Sequence, residues 1–257
     1  MKLHASKDET LSSKTLPILI WVRVLVHILA GVFTLSLIFP FTSQSQKDRK
    51  IQQWSQRLLL IFKLKLVVTG LDDVIATRSL FAANHISWLD IHAINSCKPI
   101  RFVAKSEVRS WPIFGWMAKQ LGTVFICRDS ARHARQVVEQ MAEVLKTESI
   151  CIFPEGTSTN GAQVLPFKPN LFESALAAKC PIYPLSIRYV CEKTGLRSDS
   201  PAFIGDMGLL ESMSRVIHEP GLLVQIHFLQ AYRAEISGDS DRKQVAAYCQ
   251  ESIAQTL

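Results

Sequence analysis

Residues 80–90 read Leu80-Phe81-Ala82-Ala83-Asn84-His85-Ile86-Ser87-Trp88-Leu89-Asp90. The first four are apolar, as in a buried strand. Ser87 is a good N-cap residue, and Asp90 three positions on completes a Ser-x-x-Asp box. The helical run Ile91, Ala93, Ile94 follows. The stretch therefore predicts strand, loop and helix in succession. His85 falls on the loop and Asp90 in the first helical turn. In an α/β sheet, the loop at a strand's carboxyl end is where ligands usually bind. A histidine held by a carboxylate is a common general base near neutral pH. No Gly-x-Ser-x-Gly elbow and no reactive-looking cysteine accompanies the pair. His85 is thus expected to take a proton from substrate, for instance from a hydroxyl. The plainer reading is that Asp90 caps a helix and His85 fills a turn, because His-x4-Asp is a spacing met easily by chance.

Outward from this stretch, short apolar runs alternate with helical patterns. Strands are expected at Leu64–Val68, Leu80–Ala83, Ile100–Ala104, Thr123–Ile126, Ser149–Phe153, Ile182–Ile187 and Leu223–Ala231. The clearest helix follows Asp129 and Ser130, with Ala134, Val138, Met141 and Leu145 on one face. Further helices are expected at 112–120, 170–179 and 241–255, and a loop at Gly195–Ser200. This alternation predicts an α/β fold with a largely parallel central sheet flanked by helices.

The N-terminal part differs. Leu16 to Phe41 is the most apolar stretch, interrupted by Arg23 and His27. Its length approaches the roughly 20 residues that span a bilayer. The residues after Phe41 offer no A-x-A cleavage site, which argues against a signal peptide. From Ile51, Trp54, Leu58, Leu59, Leu60, Ile61 and Phe62 mix with Arg57, Lys63 and Lys65, after Lys47, Arg49 and Lys50. That part reads as a basic amphipathic helix at a membrane surface. A true span, a shallow hairpin and a buried core helix remain open. The expected organisation is a membrane-anchoring helical segment over residues 1–62 and an α/β domain over 63–257.

The net charge of +7 permits nucleic acid, anionic lipid or acidic substrates as partners. No zinc-finger spacing, RNP-like strand or long basic run is present, so nucleic acid is not expected. Anionic lipid fits the apolar N-terminal segment better. The six cysteines form no C-x-x-C pair and no metal-ligating cluster. They read as reduced thiols of a protein facing the cytosol, and no metal is implied.

Three more blocks stand at strand ends: Gly122-Thr123-Val124-Phe125-Ile126-Cys127-Arg128, Phe153-Pro154-Glu155-Gly156-Thr157, and Pro181-Ile182-Tyr183-Pro184-Leu185-Ser186-Ile187. Together with the His85 block, in this order, they resemble the glycerolipid acyltransferase family that includes lysophosphatidic acid acyltransferases. The resemblance runs from about Leu64 to Arg233. It implies transfer of a fatty acyl chain from acyl-CoA or acyl-carrier protein to a lysolipid hydroxyl at a membrane, with the active domain facing the cytoplasm and no cofactor. The leading acceptor is 1-acyl-sn-glycerol-3-phosphate, giving phosphatidic acid. In the family the residues matching His85 and Asp90 are the base and its orienter, Glu155, Gly156 and Thr157 lie in the block that helps form the acceptor site, and Arg128 is implicated in binding acceptor phosphate. Lys105, ending its own strand, is a second candidate cation. On residue type alone, strand-end cations are mostly just solvated, and Glu155 reads as a solvated turn residue.

One departure stands out. The family often has Arg where this chain has Ser158, so one expected phosphate contact is missing. The run Val164-Leu165-Pro166-Phe167-Lys168-Pro169-Asn170-Leu171-Phe172 resembles a subgroup that includes lyso-ornithine lipid acyltransferases, whose acceptor lacks phosphate. Lys168 is a candidate replacement cation, and Asn170 stands where the family often has a glycine. Two other readings remain: a lipid-binding protein with a dead site, and a thioester hydrolase in which His85 activates water.

Overall fold

The structure, a computed structural model, describes residues 7–74, 78–126, 131–232 and 241–257. Seven strands of the described residues form one sheet: β1 (Lys65–Thr69), β2 (Leu80–Ala83), β3 (Arg101–Lys105), β4 (Val124–Ile126), β5 (Ile150–Ile152), β6 (Ile182–Cys191) and β7 (Leu222–Phe228). Their order is β1-β7-β6-β2-β5-β3-β4. Five strands, β6-β2-β5-β3-β4, run parallel, while β7 pairs antiparallel with β6 and carries β1 alongside. The carboxyl ends of β2, β3, β4, β5 and β6 therefore share one edge of the sheet. The fold is the largely parallel α/β sheet that the sequence predicts.

Among the described residues, eight helices accompany the sheet: α1 (Lys7–Phe33), α2 (Gln44–Ile61), α3 (Leu89–Cys97), α4 (Phe114–Gln120), α5 (Ala131–Val144), α6 (Glu173–Ala178), α7 (Leu209–His218) and α8 (Arg242–Ala254). The period-two alternation of strand side chains decides which helices cover which face. Phe81 and Ala83 of β2 point to one side, joined by Leu89, Ala93 and Ile94 of α3 and Met213 and Val216 of α7. Leu80 and Ala82 point to the other, joined by Met141 of α5, Ala175 of α6 and Val245, Cys249 and Ile253 of α8. Because both faces are covered, β2 and β5 can be apolar at every position.

Boundaries shift in instructive places. The α5 face buries Val137 and Met141, with Leu145 buried just past its end, while Val138 is only half-buried and the Ala134 side chain lies outside what the structure describes. The expected helix at 170–179 is split: Pro169–Phe172 form a 3-10 turn before α6, and Asn170 has no positive φ. The last strand ends at Phe228 rather than Ala231. Helix α7 is not predicted by the sequence pattern. It opens Leu209-Leu210, with Leu210 exposed and Ser212 buried, which blurs the apolar period.

The N-terminal segment is continuous with the core. Leu58, Leu59 and Ile61 of α2 are buried in the same cluster as α3 and the sheet. The side chains of Gln52 and Gln56 donate to the Ser96 and Cys97 carbonyls, satisfying acceptors that the end of α3 leaves open. The apolar stripe expected at a membrane surface is thus spent inside the protein. Helix α1 passes through a π-helical turn at Thr34–Ile38 into a 3-10 turn at Phe39–Phe41. Ile20, Val24, His27, Leu35 and Phe39 face inward, whereas Val22, Leu25, Val26, Leu29 and Phe33 are exposed on the opposite side. His27 stacks on Trp54, whose ring in turn meets His92 of α3.

Candidate active site

The β2–α3 loop is fixed from within. The Asn84 side-chain amide donates to the Ile187 carbonyl at 3.0 Å and accepts the Ile187 N–H at 2.8 Å. It thereby completes the backbone pairing of β6 just where β2 ends. Asp90 is completely buried. Its Oδ2 accepts the Ile86 N–H at 2.8 Å and the Ser87 N–H at 3.0 Å, and its Oδ1 accepts the Tyr189 hydroxyl at 2.8 Å. Ser87 completes the capping arrangement by accepting the Leu89 N–H. Both oxygens of this buried carboxylate are thereby satisfied by hydrogen-bond donors.

His85 Nδ1 lies 2.8 Å from the same Asp90 Oδ2. That oxygen is an acceptor only, so Nδ1 carries the proton and Nε2 keeps its lone pair. The ring stacks on Phe153, with centroids 4.0 Å apart and planes 19° apart, and the side chain remains 23% exposed. Its orientation is thus set by Asp90 at one edge and Phe153 on one face.

Glu155 is buried, not solvated. Oε1 accepts the His85 N–H at 2.7 Å and Oε2 accepts the Leu165 N–H at 2.9 Å. Burial raises its pKa above the ordinary carboxylate range, against the pull of those two N–H groups. Both oxygens are committed to backbone, so Glu155 joins the β2 loop to the segment carrying Lys168. Gly156 closes the turn, its N–H donating to Phe153 with φ at 74°. Only glycine adopts that conformation without strain. Thr157 is exposed beside it.

Beyond the turn, the Thr159 N–H donates to the His85 carbonyl at 2.8 Å. The Ser158 hydroxyl donates to the Phe203 carbonyl, and the Phe203 N–H donates to Ile86. Gly161, with φ at 72°, lies so close to Ile86 that an added Cβ would come within 2.6 Å of its side chain. Lys105 is the exposed last residue of β3 at the same sheet edge, paired in register with Ile126. Arg128 lies outside the described residues. The Lys168 N–H donates to the Pro154 carbonyl at 3.0 Å, keeping that segment against the Glu155 turn.

The structure thus gathers His85, Asp90, Glu155 and Gly156 at one point and leaves Lys105 two strands away. Sequence reasoning missed Asn84 and Tyr189. Asn84 had a local signal, a polar residue closing an apolar strand. Tyr189 had none, since it meets Asp90 across 99 residues of chain.

A partly exposed His85 held by the buried Asp90 thus stands at the carboxyl edge of the sheet. The family model described as Acyltransferase matches residues 65–188. Over 212 residues the chain is 32% identical to the lyso-ornithine lipid O-acyltransferase of Pseudomonas aeruginosa, covering 82% of this chain and 79% of that one. It is 35% identical over 175 residues to the 1-acyl-sn-glycerol-3-phosphate acyltransferase of Neisseria gonorrhoeae, covering 68% and 67%. The crystal structure of the acyltransferase PlsC from Thermotoga maritima superposes with a TM-score of 0.68, covering 96% of this chain and 95% of that chain at 21% identity, which shows the fold. The chain belongs to the acyltransferase family.

Proposed function

We propose that this acyltransferase moves a fatty acyl chain from a thioester, acyl-CoA or acyl-carrier protein, to the hydroxyl of a lysolipid. The observation that carries the reading is the His85 ring, with Nδ1 held by a buried carboxylate and Nε2 left as base. The hydroxyl oxygen attacks the thioester carbonyl carbon as its proton passes to Nε2. Collapse of the tetrahedral intermediate breaks the C–S bond, and the leaving sulfur takes the proton back from the imidazolium. No acyl-enzyme is required. Asp90 orients the ring and stabilises its charged form.

Lyso-ornithine lipid is the acceptor we favour. Ser158 stands where a phosphate-binding Arg is often found, and its hydroxyl is already committed to the Phe203 carbonyl. The similarity to the Pseudomonas protein also extends over more of this chain than the similarity to the Neisseria protein. The second reading, 1-acyl-sn-glycerol-3-phosphate, is supported by Lys105 at the sheet edge and by the Neisseria relative. Purified protein supplied with both lysolipids and labelled acyl thioester distinguishes them: the favoured acceptor is acylated at the lower concentration. Free fatty acid released at a rate indifferent to either lysolipid overturns both and indicates a hydrolase. No thioester consumption at all indicates a dead site.

The enzyme works at a bilayer surface, anchored by α1 lying in the membrane plane. Pro17–Phe41 has a mean hydropathy of 2.2 over its most apolar window, yet only 28% of that window is buried. The inward stripe from Ile20 to Phe39 follows the helix for about 28 Å at 1.5 Å per residue. A helix attached to its domain over that length cannot cross a hydrocarbon core of roughly 30 Å without drawing the domain in. Lying flat, it buries its outward apolar face in one leaflet. Leu25→Glu with Val26→Glu should release the protein from anionic vesicles in flotation; unchanged flotation places the anchor elsewhere.

A further inference from the structure

The segment between β6 and α7 contributes more than the Phe203 contact. Arg197 Nη1 donates to the Asn160 carbonyl at 2.8 Å and pairs with Asp199 Oδ1 at 2.9 Å. Asn160 directly follows Thr159, whose N–H binds the His85 carbonyl. An opposite-charge pair therefore sits one short loop from the base, on a segment that the sequence motifs do not include. Its side chains are 37% and 61% exposed.

We propose that Arg197 and Asp199 form the head-group site for the acceptor and recognise a zwitterion carrying one carboxylate and one ammonium. The proposal rests on the lyso-ornithine reading. Ornithine joined through its α-amino group as an amide keeps exactly one of each charge free: its carboxylate and its side-chain ammonium. The guanidinium fork suits the carboxylate, and the Asp199 carboxylate accepts from the ammonium. An exposed Arg–Asp pair contributes little to the fold by itself, so each partner is available for exchange with a ligand. A phosphate monoester offers Arg197 an anion but presents Asp199 with a like charge. The same pair therefore attracts one head group and disfavours the other. This is the discrimination that Ser158, occupied by Phe203, does not supply.

The test measures KM and kcat for lyso-ornithine lipid and lysophosphatidate in mixed micelles, using the full-length protein and the variants Arg197→Ala, Arg197→Lys and Asp199→Asn. Arg197→Ala should raise KM for lyso-ornithine lipid by about tenfold or more, the worth of one charge-assisted contact, with kcat changed by less than about threefold. Its KM for lysophosphatidate should change far less. Arg197→Lys should fall between, having charge without the fork. Asp199→Asn should narrow the preference by improving lysophosphatidate. If both KM values rise alike in Arg197→Ala, the residue only braces the Asn160 loop, and the proposal is overturned. It is equally overturned if the KM for lyso-ornithine lipid stays within about twofold of the unsubstituted protein in every variant while that protein still acylates the lipid. If the unsubstituted protein acylates lysophosphatidate and ignores lyso-ornithine lipid, the acceptor reading itself fails.

Discussion

The two loops beside the His85 ring are held in opposite ways. The β2–α3 loop, residues 84–90, is fixed by buried groups: Asn84 closes on Ile187, and Asp90 gathers His85, Ile86, Ser87 and Tyr189. The loop after β5, residues 156–161, is tied by half-buried or exposed bonds to a distant segment: Ser158 to Phe203 and Asn160 to Arg197. Buried polar networks are costly to disturb, because every lost partner leaves a desolvated group behind. Exposed ones exchange with water at little cost. The difference separates two tasks. Proton transfer needs a base whose position does not vary, and recognition needs groups that can trade one partner for another.

The largest effects should come from breaking the buried loop at its reacting atoms. His85→Ala should abolish transfer while the protein still melts cooperatively, because the ring is partly exposed and packs on Phe153 alone among aromatic side chains of the described residues. Asp90→Asn should lower kcat by on the order of 10²–10⁴, since an amide nitrogen facing Nδ1–H favours the wrong tautomer. Near-normal turnover by purified His85→Ala would remove His85 from the mechanism, and near-normal turnover by Asp90→Asn would remove Asp90 as its orienter.

Glu155 connects the two loops and should rank next. Glu155→Gln puts an amide NH2 against the N–H of either His85 or Leu165, where each carboxylate oxygen now accepts. One unsatisfied buried donor costs about 1–3 kcal/mol. Activity should fall by roughly 10- to 100-fold, mainly in kcat. The variant also has a pH signature. Burial raises the Glu155 pKa, so the folded state holds this proton to higher pH than the unfolded chain does. Its contribution to stability is fully present below the unfolded value and is lost as pH rises through the folded one. Thermal melts of Glu155→Gln from acid to neutral pH should lack that part of the decline. An identical pH dependence in both proteins would show that Glu155 is not so perturbed.

The same contrast explains how much the sequence reveals. The run Leu80 to Asp90 announces its strand, loop and helix because each signal is local: an apolar run, a cap, and a carboxylate three residues on. The sheet follows, because strands buried on both faces are apolar throughout. The role of Glu155 is less legible. A Glu after a proline reads as solvated, and only the fold reveals that it meets two backbone N–H groups from elsewhere in the chain. Tyr189 and Arg197 are further from view, since each acts on a partner dozens of residues away and neither belongs to a local pattern. The apolar face of α2 is misassigned for a related reason. Hydrophobic periodicity shows that a face is buried without showing whether lipid or protein covers it.

Tyr189→Phe sharpens the comparison by removing one oxygen from the buried side. Asp90 would retain its contacts on Oδ2 and lose the hydroxyl on Oδ1. A hydrogen bond to a charged group is worth about 1.5–3 kcal/mol. Part of that should appear as lost stability and part as a kcat lower by roughly three- to tenfold, with KM for the lysolipid unchanged. A variant that loses stability but keeps full kcat would show that Tyr189 supports the fold without tuning the dyad.

The smallest effect should come from Ser158→Ala, the matching deletion of one oxygen on the other loop. The hydroxyl donates to the Phe203 carbonyl, which is only half-buried and can turn to water once the serine is gone. Phe203 keeps its own N–H bond to Ile86, and Thr159 keeps both of its bonds to the His85 carbonyl. The loop therefore retains two of its ties to the catalytic segment. A neutral hydrogen bond is worth about 0.5–1.5 kcal/mol net, and a partly solvated one sits at the low end. Stability should fall by about 0.5 kcal/mol and kcat by less than about twofold. The comparison of these two single-oxygen deletions is the decisive one. If Ser158→Ala lowers kcat as much as Tyr189→Phe does, the second loop is as rigid a part of the catalytic apparatus as the first, and the division between a fixed base and an adaptable acceptor loop fails.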